Sequence, residues 1–70
     1  MEREAKIRQM DHALHALCQP LTALQCGLEV ALLADTVETY REEIRLGLEQ
    51  CVRIATLVES MRAMLQEVTT

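Results

Sequence analysis

Residues 7–31 read IRQMDHALHALCQPLTALQCGLEVA. Stepping from Ile7 by alternating threes and fours lands on Met10, Leu14, Leu17, Leu21, Leu24, Leu28 and Ala31 without meeting a charge. A repeat averaging 3.5 residues gathers these side chains on one seam of an α-helix, whereas the two-residue period of a strand would scatter them over both faces. The stretch therefore reads as one long helix, even though Pro20 stands inside it. Further along, the same stepping recovers Val37, Tyr40, Ile44, Gly47, Cys51, Ile54, Val58, Met61, Leu65 and Val68. The phase breaks at Ala34-Asp35-Thr36, where Asp35 is a suitable N-cap and Glu38 follows three residues later, as in a capping box. The break carries no glycine or proline cluster, so the link is short and the helices run antiparallel as neighbours. The pattern predicts helices over about residues 3–33 and 36–67, each roughly 45 Å long at 1.5 Å per residue.

The whole chain, residues 1–70, reads as one all-α unit. A domain of this size rarely builds a core worth more than about 3–5 kcal/mol on its own. Half of its residues are apolar, yet Tyr40 is the single aromatic. Leu48, Ala55, Leu57 and Met64 lie beside the second seam and widen it beyond the reach of one partner helix. The economical arrangement is a homodimer in which two hairpins make a four-helix bundle. A hairpin cut from a larger helical protein would show the same broad stripe.

Charge narrows the function classes. Eleven acidic residues against seven basic ones, with a net charge of −4, do not suit a phosphate backbone, so nucleic acid is excluded as a partner. The longest purely apolar run, Val30 to Ala34, falls far short of the ~20 residues that span a bilayer, so no membrane contact is expected. The opening MEREAKIRQ is too charged for a signal peptide. Cys18, Cys26 and Cys51 have neither zinc spacing nor an even count and read as reduced thiols, which points to a cytoplasmic protein. Spacing also suggests ion pairs along the solvated faces: Glu2–Lys6, Glu4–Arg8, Glu49–Arg53, Glu38–Arg41, Glu42–Arg45 and Glu59–Arg62.

With Ile7 at heptad position a, His15 falls at b and His12 at f, both turned away from the seam. Five residues after His15 comes Pro20, which deletes the hydrogen bond to the Ala16 carbonyl at a cost of about 3 kcal/mol. The string His15-Ala16-Leu17-Cys18-Gln19-Pro20-Leu21-Thr22 resembles the H-box of the dimerisation and phosphoacceptor domain of bacterial sensor histidine kinases. His15, Leu17, Gln19, Pro20, Leu21 and Thr22 fit that box, Cys18 occupies its variable site, and the two-helix pattern extends the resemblance over nearly the whole chain.

The resemblance implies that His15 takes a phosphoryl group from ATP and passes it to an aspartate of a response-regulator receiver domain. It also implies that the proline bends the first helix below the histidine, and that Gln19 orients the water that removes phosphate. The chain has no glycine-rich phosphate loop, so ATP and magnesium are expected on a separate catalytic domain, with no cofactor held here. The receiver is expected along the outer side of the first helix, near Cys18 and Thr22. One position departs from the family: Ala16 stands where an acid normally fixes the imidazole tautomer. Asp11, four residues before His15 on the same face, is the candidate substitute. Two other readings compete. One is a dimeric helical scaffold without transfer chemistry. The other is a metal site from His12, His15 and Cys18 with Asp11 nearby, although three ligands in a row on one helix seldom converge.

Overall fold

The computed structural model describes residues 2–69, and of Val68 the backbone alone. It consists of two helices, α1 (Glu2–Leu33) and α2 (Val37–Thr69), packed side by side as an antiparallel hairpin, with no strand among the described residues. Both helices end within two residues of the positions expected from the seams. Helix α1 tightens at its end, where the Ala34 amide donates to the Ala31 carbonyl at 3.2 Å. The cap of α2 is Thr36, not Asp35. Its Oγ1 accepts from the Thr39 amide at 3.2 Å, and its carbonyl accepts from the Tyr40 amide at 3.2 Å. Asp35 lies one residue too early to reach the donors that an N-cap serves. Thr39 adds a 2.8 Å hydroxyl contact to Thr36.

The face that α1 turns toward α2 is a d/g seam, not the a/d seam of the sequence. Its buried and half-buried residues are Lys6, Met10, Ala13, Leu17, Pro20, Leu24, Gly27 and Ala31. The matching row on α2 is Thr39, Glu43, Gly47, Gln50, Ile54, Leu57, Met61 and Met64. Met10, Leu17, Leu24 and Ala31 therefore sit in the seam as expected, with Gly47, Ile54 and Met61 facing them. The other half of each predicted seam does not: Ile7, Leu14, Leu21 and Leu28, and Val37, Tyr40, Ile44, Cys51, Val58 and Leu65, are all exposed. The side chain of Val68 lies outside the described residues.

Small residues mark the choice. Ala13, Pro20 and Gly27 are the small residues of this face, and longer side chains fill in from the other helix. A Cβ on Gly27 would stand 3.0 Å from a Glu43 carboxylate oxygen, and one on Gly47 would stand 3.3 Å from a Leu24 methyl. Leu57 and Met64, placed beside the seam by the sequence, are part of it, while Leu48 and Ala55 stay on the exposed side. Gln50 is the polar intruder: its Oε1 is buried without a hydrogen-bond partner.

The hairpin is thin. Its Cα atoms span 54 × 15 × 11 Å, and Ala13 and Pro20 alone are buried among the described residues. What remains uncovered is a second apolar stripe, the a positions of both helices, running along one face. An 18-residue window of α1 reaches a mean hydropathy of 1.3, apolar and long enough by composition to cross a bilayer although the purely apolar runs are short.

Ion pairs decorate the rims. Glu2–Lys6, Glu42–Arg45 and Glu59–Arg62 form as expected, at 3.9, 2.6 and 3.7 Å. Glu49 pairs with Arg45 at 2.7 Å instead of with Arg53. Lys6 also reaches Glu67 at 3.6 Å and ties the start of α1 to the end of α2. Arg45 holds the Glu42 carboxyl below its ordinary value, first by hydrogen bonding and then by charge.

Candidate functional site

One face of α1 gathers the residues singled out by sequence. Asp11, His15, Cys18, Gln19 and Thr22 are all exposed on the outward side, three or four residues apart. An uninterrupted helix carries them, and helical geometry fixes their order: Asp11 one turn before His15, Gln19 one turn after. His15 Nε2 lies 3.4 Å from Asp11 Oδ2, with the two side chains 76% and 70% exposed. That is within ion-pair reach but longer than a good N–H···O hydrogen bond. In open water such a contact orients the ring only weakly.

Pro20 faces the opposite way. It is buried against α2 while His15 stands out in solvent, so the same turn of helix anchors on one side and presents on the other. The ring's missing N–H leaves the Ala16 carbonyl without its helical donor one residue from His15. Ala16 itself is exposed and sits where two shallow grooves between the helices meet. Arg8, His12 and Ser60 rim the first groove, and Gln19, Arg53 and Thr56 the second.

The two histidines, equivalent by exposure, thus have different surroundings. His12 borders the groove within the hairpin, on the side of α1 away from the uncovered stripe. His15, at b, points away from α2, next to the row containing Asp11 and Cys18 that flanks the stripe. Sequence periodicity places both outside the seam but does not show that only His12 borders a groove within the hairpin.

Among the described residues no three His, Cys, Asp or Glu side chains gather to hold a metal ion. Cys18, one of the three in the metal reading, turns its Sγ to the Leu14 carbonyl at 3.7 Å. No protein-family model, curated protein or solved structure matches this chain. The site therefore rests on its own chemistry: a solvent-facing imidazole on a rigid helix, a carboxylate one turn above, an amide one turn below and a small side chain beside it.

Proposed function

We propose that this chain is the dimerisation and phosphoacceptor module of a two-component sensor histidine kinase, and that His15 is the residue phosphorylated. The observation that carries the reading is the back-to-back placement of His15 and Pro20 on α1, with His15 one row out from an uncovered apolar stripe. Two hairpins joined along that stripe make a four-helix bundle with one His15 on each side.

ATP is supplied by a separate domain that also provides magnesium. A neutral nitrogen of His15 attacks the γ-phosphorus in line; an N–P bond forms, the bond to the β-phosphate oxygen breaks and ADP leaves. The helix contributes position, which is the larger part of catalysis for such a transfer. A receiver-domain aspartate then attacks the same phosphorus, and the imidazole departs. Small side chains at Ala16, Cys18 and Thr22 leave room for that domain on the outer side of α1. Gln19, one turn from His15, can both donate and accept, as a residue orienting a hydrolytic water must. The reading makes the module cytoplasmic, with receiver and ATP-binding domains as partners and no nucleic acid or membrane contact.

A non-catalytic dimeric scaffold is the second reading, favoured by Ala16, which cannot supply the tautomer-fixing acid. Labelling separates the two. A phosphorylated receiver or a kinase domain supplied in trans should deposit an acid-labile, base-stable label that His15→Gln abolishes and His12→Gln retains. Label lost with His12→Gln alone refutes the assignment, and a chain never labelled leaves the scaffold. Ala16→Glu in the same assay should raise transfer without altering helix content, because the position is exposed and Glu is a good helix former.

A further inference from the structure

The uncovered stripe is flanked by a row of exposed e positions on each helix. On α1 the row is Glu4, Asp11, Cys18, Gln25 and Leu32; on α2 it is Arg41, Leu48, Ala55 and Arg62. The heights of these residues follow from the hairpin's register. Lys6 contacts Glu67, Leu24 abuts Gly47, and Gly27 lies beside Glu43. Each step up α1 is a step back along α2, so Asp11 lies level with Arg62, Leu14 with Val58, and Leu28 with Ile44.

Two symmetric ways of joining the stripes differ in what they bring together. With the two-fold axis along the helices, rotation leaves every height unchanged, and α1 of one chain meets α2 of the other. Leu14 then meets Val58, Leu21 meets Cys51 and Leu28 meets Ile44, all apolar layers, while Asp11 meets Arg62. With the axis across the helices, each α2 lies antiparallel on its own copy. Centring those layers on Cys51 then sets Arg41 against Arg62. Opposite charges favour the first arrangement, and like charges penalise the second in this register.

We propose that Arg62 of the partner subunit binds Asp11 and, through it, positions the His15 ring, so that each phosphoacceptor site is built from two chains. Asp11 Oδ2 is the oxygen turned to His15 Nε2, which leaves Oδ1 to accept from the guanidinium. Among the described residues Arg62 pairs within its own chain with exposed Glu59 at a loose 3.7 Å, a weak competitor. Arg62 is a positioning residue here, acting on His15 only through Asp11. The inference rests on the dimer in the proposed function.

Sedimentation equilibrium of the whole chain tests it. Asp11→Arg and Arg62→Asp should each weaken the dimer by roughly tenfold, because every dimer holds two copies of the pair. Combining them should recover most of the loss. The neutral cycle Asp11→Asn with Arg62→Gln gives the same coupling if a reversal disturbs folding, with helix content by circular dichroism as the control. In parallel, Arg62→Gln leaves Asp11 and His15 in place and should still shift the His15 ring ¹⁵N resonances of the dimer. A stable dimer with additive effects and an unmoved His15 overturns the shared site while leaving the dimer intact. A wild-type chain that stays monomeric at tens of micromolar overturns both.

Discussion

Replacing Pro20 with alanine should make the protein more stable, although it removes buried atoms from the face of α1 that packs on α2. Proline in a helix interior costs about 3 kcal/mol relative to alanine, through the lost hydrogen bond and the clash with the carbonyl four residues back. Pro20 is buried, so truncation to alanine also removes two ring methylenes from the contact with α2. At ~0.8 kcal/mol for each buried methylene this loss is about 1.6 kcal/mol. The difference leaves Pro20→Ala more stable by about 1–2 kcal/mol. Urea unfolding followed by circular dichroism measures it, with protomer concentration held equal because the proposed assembly would contribute to apparent stability. A second measurement is local: the new amide at position 20 should be protected from hydrogen exchange by the Ala16 carbonyl. A variant no more stable than the parent, or one whose new amide exchanges freely, would refute the reasoning. It would mean that packing of the ring, not a tolerated backbone penalty, accounts for the proline.

The two seam glycines should respond unequally to alanine. At Gly27 the new methyl meets only the flexible end of Glu43, which can swing aside, so the helix-propensity gain of roughly 0.5–1 kcal/mol should be realised. At Gly47 it meets a Leu24 methyl packed in the seam, and the gain should be smaller; urea midpoints that rank Gly47→Ala above Gly27→Ala would contradict this. Removing the Arg45 guanidinium with Arg45→Ala should raise the Glu42 carboxyl back toward its ordinary 4.5, as read by carboxyl ¹³C titration. Because the folded value is the depressed one, this pair's stabilisation is present above the unfolded value and is lost as the pH falls through the folded value. An unchanged Glu42 titration would show that Arg45 is not the cause.

Much of the fold was legible because two helices with sustained three-four periods leave little freedom. Their number, direction and ends follow from the repeat and the break at residues 34–36. The choice of face was not legible. A helix with two apolar stripes presents the same period whichever stripe lies inside the hairpin, and the residues that mark the buried one, Ala13, Pro20 and Gly27, are small and not strongly hydrophobic. Glu43 and Gln50 hide the seam further, since polar residues at g read as surface. The cap was misassigned by one residue because Asp35 and Thr36 are both good caps, and only the hydrogen bonds of Thr36 distinguish them. At the site, the mutual placement of Asp11, His15 and Gln19 was legible because one helix carries all three. The neighbourhoods of His12 and His15 depend on where α2 lies, which the spacing along α1 does not encode.

A slab one helix thick has no dry interior, and this governs how the hairpin answers its solvent. Every ion pair described above sits at high dielectric, where a unit-charge contact at 4 Å is worth about 1 kcal/mol and the Debye length shrinks to about 3 Å in 1 M salt. Raising ionic strength with a strongly hydrated salt such as sulfate therefore weakens the charged rows while strengthening the burial of apolar surface. In the proposed dimer the two forces on the uncovered face would thus be separable by salt alone, without changing a residue: charge would select the partner's orientation, and the aliphatic stripe would supply the cohesion.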